Sequence, residues 1–238
     1  PGFTDPAAWH AWFERPLMPG IHEAPELKQL PPMQRRRVSG LGRYALSAAY
    51  EVQADAPDDA PLVFASRYGE LSRSVELLEQ LARGEALSPM SFSLSVHNAI
   101  GALSSIARGD TADYTAVAAG EETLEAAFTE ACGLLADGHR AVLVVSYDEP
   151  VPEVWREVSD EGGRSFPRAL GFRVIRREDG PGFSLESRHA APAADAGLHG
   201  DAGPRLPADL EVLRFLRSSE PVLERAIGNR RWRWVRHA

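Results

Sequence analysis

Two short apolar runs, each bounded by polar or turn-forming residues, constrain the fold of this chain more than any other feature. Residues 61–66 read PLVFAS, and residues 140–147 read RAVLVVSY. Neither run alternates between apolar and polar residues along its core, and each has the length of a strand buried on both faces. Strands of this kind occur in parallel sheets that helices cover, so the two runs predict an α/β fold.

The segments around these runs carry apolar residues at helical spacing. This spacing predicts helices over 34–52, 70–83, 95–108 and 121–136, and a further strand is predicted over 114–119. In the second of these helices, Leu71, Val75, Leu78 and Ala82 form the predicted inward face. The alternation of strands and helices indicates one sheet with helices on its faces.

The two ends of the chain have a different character. The start, with Trp9, Trp12 and Phe13, is interpreted as an irregular arm, and residues 169–177 and 183–188 are interpreted as a hairpin. Residues 189–207 are rich in Ala, Gly and Pro and predict a mobile loop. Apolar spacing at Leu206, Leu210 and Leu213 and the alternation in 231–234 then predict a helix and a terminal strand. We place the domain boundary at 150, with 151–238 packing as an extension on the same core.

Composition narrows the function classes. The chain has 238 residues, of which 44% are hydrophobic, and its net charge of −8 argues against a broad nucleic-acid-binding surface. It contains no apolar run of about 18 residues, so we expect a soluble, cytoplasmic protein. The one cysteine, Cys132, cannot form an intrachain disulfide or a Cys-based zinc cluster. Neither the histidines nor any glycine-rich motif indicates a metal or nucleotide site, so we expect no cofactor.

Residues 88–149 contain a Ser-Pro pair, the run Ser95-Val96-His97-Asn98 before a predicted helix, and a predicted strand, turn and helix over 114–124. This order resembles the N-terminal half of a thiolase-fold β-ketoacyl synthase. The resemblance implies a half-fold of βαβαβαββ order, a mixed sheet with helices on its faces, plus the N-terminal arm and extra C-terminal strands and helix. It covers about residues 30–150.

The turn in this segment is where the family carries its nucleophilic cysteine, whose thiolate the helix dipole stabilises. Alignment on residues 116–119 and on Leu124 places that position at Gly120, which has no side chain to acylate. Cys132 lies about three helical turns farther on and is interpreted as a small, buried or half-buried core residue. Glu121 is interpreted as a helix cap favoured by the dipole. The resemblance therefore implies no catalytic residue, and by its length we expect the chain to lack the second, catalytic half of a ketosynthase.

A ketosynthase-like protein without the nucleophile resembles a chain-length factor, the non-catalytic partner of an active ketosynthase. The segments 41–43, 65–70 and 92–99, together with the short chain, are similar to the chain-length factors of bacterial aryl polyene clusters. The resemblance implies a heterodimer with a full-length β-ketoacyl-ACP synthase, formed through an edge strand. The implied interface residues are Tyr114, Thr115, Ala116, Val117 and Ala118. The implied residues lining the partner's acyl tunnel are Phe92, Leu94, Ala99, Gly101, Ala102 and Leu103.

Several alternatives stay open. The chain could instead have weak activity, with Glu121 assisting decarboxylation, or could be a scaffold that only stabilises the ketosynthase. His97 and Asn98 could contact substrate or partner, although a structural hydrogen bond is the more ordinary role of such a histidine. Basic residues could attract an acidic acyl carrier protein or serve as solvated ion-pair partners: Arg35, Arg36, Arg37, Arg230, Arg231, Arg233 and Arg236. Trp232 and Trp234 are expected to cover a core edge or an interface.

Overall fold

The chain divides into two units whose boundary follows residue 176. The computed structural model describes residues 6–15, 23–54, 56–57, 59–157, 165–189 and 206–238. One unit is formed by residues 23–176, and the other by residues 1–22 together with 177–238. The larger unit thus extends past the boundary predicted at residue 150 and includes a fourth strand.

The elements follow one another as helices and strands with short connections. In chain order they are α1 (Pro6–Glu14), α2 (Pro32–Arg35), α3 (Gly40–Gln53), β1 (Leu62–Ala65), α4 (Leu71–Ala82), α5 (Pro89–Ser93), α6 (Ala99–Arg108), β2 (Tyr114–Val117), α7 (Thr123–Ala136), β3 (Val142–Asp148), β4 (Arg168–Val174), β5 (Gly182–His189), α8 (Ala208–Arg217), β6 (Val222–Ile227) and β7 (Arg230–His237). Short 3-10 turns at Gly120–Glu122 and Glu153–Trp155 precede α7 and follow β3.

The larger unit contains a mixed sheet with the strand order β2-β1-β3-β4. Strands β1, β2 and β3 are parallel, and β4 is antiparallel to β3. The two apolar runs form the central strands β1 and β3, and every residue of both strands is buried. The α/β fold predicted from these runs is therefore confirmed, because strands flanked on both sides must be apolar on both faces.

Helices cover both faces of this sheet. Phe64, Val145 and Tyr147 belong to one apolar cluster with residues of α3. Successive side chains of a strand point to opposite faces, so Val144 and its cross-strand partner Phe172 face the other side. There Phe172 contacts Phe128 of α7, with ring centroids 5.4 Å apart. The helices α3 and α7 therefore pack on opposite faces.

The helix predicted over 34–52 is interrupted before its apolar face begins. Ser39 is the N-cap of α3, and its hydroxyl accepts a hydrogen bond from the Gly42 backbone N–H at 2.9 Å. A serine in this position satisfies an amide that has no partner within the helix. The predicted helix therefore becomes the short α2 followed by the longer α3.

The hairpin predicted for residues 169–177 and 183–188 is wrong. Strand β4 pairs with β3 over seven residues, while β5 pairs with β7 in a second sheet. Close packing explains the position of β4: a Cβ on Gly171 would lie 2.4 Å from Val52 Cγ1 and 3.0 Å from the Ala48 carbonyl oxygen. Glycine allows α3 to approach this strand closely.

The smaller unit contains an antiparallel sheet with the order β5-β7-β6, and the sequence analysis missed β6. The predicted terminal strand is confirmed as β7, and Trp232 and Trp234 are buried on one of its faces. The Arg236 guanidinium lies over the Phe215 ring and donates to the Phe215 carbonyl oxygen at 2.6 Å. Residues 6–14, interpreted as part of an irregular arm, instead form α1. The loop predicted for 189–207 lies, except for its ends, outside the described residues.

Candidate functional site

Polar side chains gather where the central strands β1 and β3 end. Ser66 directly follows β1, and Asp148 is the last residue of β3. The Ser66 hydroxyl donates to Asp148 Oδ1 at 2.9 Å, and the Arg67 backbone N–H donates to the same oxygen at 3.0 Å. Arg168 on β4 faces Asp148 Oδ2 at 3.8 Å, and both side chains are largely buried. The carboxylate therefore joins the ends of three strands.

The loop that follows β1 is held by the same cluster. The Gly69 backbone N–H donates to Ser66 Oγ at 2.8 Å, and His97 Nε2 donates to the Ser66 carbonyl oxygen at 2.8 Å. Gly69 has a φ of +56°, and a Cβ there would lie 2.8 Å from the His97 ring. Only glycine combines this backbone conformation with so close a neighbour. His97 thus makes a structural hydrogen bond, the more ordinary of the two roles considered for it from the sequence.

Two more carboxylates surround this loop. The Ser39 hydroxyl donates to Glu70 Oε1 at 2.5 Å, and Arg73 pairs with Glu70 Oε2 at 3.4 Å. Ser72 donates to Glu149 Oε1 at 2.8 Å. Burial raises the pKa of Glu149, the Ser72 hydrogen bond lowers it, and the nearby charges of Glu70 and Glu76 raise it. The loop between β1 and α4 is therefore held in place by hydrogen bonds and ion pairs with the side chains around it.

Asp148 and Arg168 were not predicted from the sequence. Asp148 lies 82 residues from Ser66, and only the parallel pairing of β1 and β3 brings the two side chains together. One signal was available: polar residues follow both apolar runs directly, and the carboxyl ends of parallel strands meet at one edge of a sheet.

Strand β2 lies at the edge of the larger unit's sheet and, within the described part of the chain, pairs with β1 alone. The carbonyl oxygens of Asp113 and Val117 accept hydrogen bonds from the β1 side, from Leu62 and Ser66. Since backbone groups alternate along a strand, the N–H and C=O groups of Tyr114 and Ala116 point away from β1. The residues of β2 are half-buried.

The turn after β2 contains Gly120, which has a φ of +60° and open space where a Cβ would lie. The Thr123 hydroxyl donates to the Gly120 carbonyl oxygen at 2.7 Å and accepts from the Ala119 N–H at 3.0 Å. Glu121 is exposed beside it. The turn is therefore closed by a threonine side chain, and its outer surface is free of side-chain atoms at Gly120.

Cys132 lies within α7, and its interpretation as a core residue is wrong, because its side chain is exposed. The buried positions of α7 include Leu124, Ala127 and Ala131, and one further residue along the helix turns the side chain by about 100° away from them. Partial burial still raises the pKa of the thiol.

The residues predicted to line a tunnel lie in different environments. Phe92 on α5 is 62% exposed, whereas Ala99 is buried. A Cβ on Gly101 would lie 2.6 Å from the Tyr114 ring, so the close packing of α6 on β2 requires this glycine. Leu94, Ala102 and Leu103 are half-buried. Gly101 of the predicted tunnel lining and Tyr114 of the predicted interface therefore lie next to each other.

The described residues contain no group of three or more His, Cys, Asp or Glu side chains placed to hold a metal ion. None of the helices within the described ranges combines the length and apolarity needed to cross a bilayer.

Comparison with known proteins places these features in a family. The family model for the β-ketoacyl synthase N-terminal domain matches residues 9–235, so the likeness extends well beyond the segment 30–150 on which the sequence resemblance rested. None of the curated proteins compared with the chain matches it significantly.

Two solved structures show the same fold. One chain in the structure of the ketosynthase ApeO in complex with its chain length factor ApeC, from Xenorhabdus doucetiae, is 26% identical in sequence to this protein. The match has a TM-score of 0.78 and covers 99% of this chain and 94% of that chain. A chain of the ishigamide ketosynthase/chain length factor is 19% identical, with a TM-score of 0.58 over 72% of this chain and 54% of that chain. The chain has the thiolase-like ketosynthase fold and belongs to the β-ketoacyl synthase N-terminal domain family.

Proposed function

We propose that this protein is a non-catalytic chain-length factor, which forms a heterodimer with a full-length β-ketoacyl-ACP synthase and shapes its acyl tunnel. The observation that carries this proposal is the combination of an edge strand, β2, with the turn that follows it. That turn has glycine at position 120, where the family resemblance places the nucleophilic cysteine. The similarity to a ketosynthase–chain length factor complex supports the same role.

The chemistry of the turn supports an inactive subunit. Acyl transfer from a carrier thioester needs a nucleophile at the helix amino end, and Gly120 offers none. Cys132 is no substitute, because it lies near the middle of α7 and its partial burial raises the pKa of the thiol. A thiolate is the reactive species, so this environment opposes reactivity.

The geometry of β2 supports pairing with a partner strand. The outward backbone groups of Tyr114 and Ala116 are placed to extend the sheet across a subunit interface. An exposed edge otherwise invites aggregation, and a partner strand removes that risk. In this proposal, residues 114–118 form the interface, and tunnel control comes from side chains of α5 and α6 near the partner.

The finer assignments belong to the same proposal. The product class is aryl polyene or a related polyketide, and the acyl chain is delivered by an acyl carrier protein. Arginines such as Arg36 and Arg37, exposed before α3, are candidates for the electrostatic attraction of that acidic carrier.

The native mass of the protein, measured alone and after co-expression with a ketosynthase from the same gene neighbourhood, tests the proposal. We expect a stable complex that contains at least one copy of each chain. A well-folded protein that remains apart from the ketosynthase would contradict the subunit role.

Enlarging Ala102 tests tunnel control. Because Ala102 is half-buried on α6, Ala102→Phe adds bulk near the proposed tunnel, and we expect shorter products from the complex, measured by mass spectrometry. Ala136→Phe, the same substitution at the exposed last residue of α7, is the matched control with unchanged product length. If Ala102→Phe changes the yield or assembly but not the product length, the protein acts only as a scaffold.

The rival, an enzymatic role for Glu121, is tested by Glu121→Gln. We expect an intact complex with wild-type turnover, because the exposed carboxylate serves the 3-10 turn rather than the chemistry. A loss of turnover by the assembled Glu121→Gln complex, or turnover by the isolated wild-type chain, would favour the enzymatic reading.

A further inference from the structure

Two of the four α4 residues that the sequence predicts to point inward, Leu78 and Ala82, are exposed, so the prediction is wrong for them. Positions 75, 78, 79 and 82 have the spacing i, i+3, i+4 and i+7 and form one stripe along the helix. Val75 is buried, but Leu78 is 60% exposed. With two residues of the 3-10 turn after β3, this stripe lines a groove of about 420 Å³. The lining residues are Val75, Leu78, Glu79, Ala82, Val154 and Trp155.

The floor and wall of this groove are apolar side chains in contact with solvent. Val154 and Trp155 are 66% and 42% exposed, and they face the same groove as Leu78. Single exposed apolar residues are ordinary, but a contiguous set that includes tryptophan is typical of interaction sites. A stripe with helical periodicity is suited to pack against another helix.

The rim of the groove is acidic. Arg83 pairs with Glu79 at 3.7 Å and with Glu85 at 2.6 Å, and Arg156 pairs with Glu153. Both rim arginines are thus already neutralised by carboxylates. Four carboxylates on or next to the lining segments, Glu76, Glu79, Glu85 and Glu153, outnumber these two arginines, so the rim carries a net negative charge.

The charge of the rim decides between possible occupants. A second copy of this chain would bring the same excess of carboxylates towards the rim of the first. Like charges that are desolvated together oppose binding, so the rim disfavours self-association through this groove. A partner with basic residues beside an apolar face would complement both the groove and its rim.

We propose that the groove along α4 binds an amphipathic helix of a partner protein in which Lys or Arg residues flank the apolar stripe. This surface is distinct from the proposed ketosynthase interface: its residues lie on segments that follow the central strands β1 and β3, and none belongs to β2. The inference therefore stands whether or not β2 pairs with a ketosynthase.

Peptide binding to the full chain tests this proposal. The probe is a fluorescent, helix-forming peptide of about 14 residues with leucines at i, i+3, i+4 and i+7 and flanking lysines. A matched peptide carries glutamates in place of the lysines. We expect fluorescence anisotropy to show the lysine peptide binding at least about tenfold more tightly than the glutamate peptide, with an affinity that falls as salt rises.

Two leucines of α4 provide a matched pair of variants. Leu78 lines the groove, whereas Leu81 lies on the same helix with a similar exposure of 59% and does not line it. Leu78→Gln should weaken binding of the lysine peptide at least about tenfold, and Leu81→Gln should leave it unchanged. Circular dichroism spectra and melting curves confirm that both variants remain folded.

Three outcomes would overturn the proposal. Equal binding of the two peptides would rule out recognition of a basic partner. Equal effects of Leu78→Gln and Leu81→Gln would rule out this groove as the binding site. Concentration-dependent dimerisation in sedimentation experiments, abolished by Leu78→Gln, would show a second copy of this chain as the occupant.

Discussion

Ala116→Pro in β2 should weaken assembly with the ketosynthase by about a hundredfold in Kd. The backbone N–H of Ala116 points away from β1, so proline removes a donor that only a partner strand would use. Its ring would also occupy the space of that strand. Proline is tolerated at such outward positions of edge strands, so the isolated chain should stay folded. Titration calorimetry or native mass spectrometry of the mixed subunits measures the effect.

Val117→Pro separates this effect from damage to the fold. The Val117 carbonyl accepts from Ser66, so this residue faces β1, and proline there also interrupts the ladder within the chain. We expect Val117→Pro to lower the melting temperature, while Ala116→Pro leaves it close to that of the wild type. If Ala116→Pro binds the ketosynthase with unchanged affinity, the two chains do not pair through β2.

Asp148→Ala should lower the free energy of unfolding by about 3 kcal/mol. The substitution removes the acceptor for the Ser66 hydroxyl and the Arg67 N–H, and it removes the carboxylate facing Arg168. Removing one partner of a largely buried ion pair leaves a desolvated charge, which is more costly than losing an exposed pair. Urea denaturation followed by circular dichroism measures the change.

Asp148→Asn is the matched control for charge. Its amide oxygen keeps the acceptor position for Ser66 and Arg67 but has no charge to balance Arg168, so we expect a loss between those of the wild type and Asp148→Ala. Equal stability of Asp148→Ala and the wild type would show that the strand ends are held by other contacts.

The central part of the fold could be predicted because its signals are local. The apolar runs that form β1 and β3 have no polar face that could contact water. This property alone indicates a parallel sheet covered by helices. The periodicity of α3 and α7 was also readable. Pairing between distant segments carries no such signal, which explains why β4 was assigned to a hairpin with β5 rather than to β3.

The candidate site was predicted in part, and mainly through family resemblance. The residues of β2 and Gly120 were identified from a motif order, and β2 does lie at a sheet edge. The Ser66–Asp148 contact was missed because it spans the fold. Periodicity predicted that Leu78 and Ala82 of α4 point inward, and this is wrong, because both are exposed. Apolar spacing alone does not distinguish a helix face packed in the core from one on the surface.

In the proposed alignment Gly120 takes the position of the family's nucleophile, and its backbone conformation determines what a cysteine there would cost. With a φ of +60°, this residue has a conformation in which any L-residue with a Cβ is strained, even though the space around it is open. A single Gly120→Cys change would therefore introduce a thiol at a cost of about 1 kcal/mol or more in folding stability. Compared with a cysteine at the same φ, glycine relaxes the turn, so a chain that acquired a thiol here would lose folding stability unless other substitutions compensated for it.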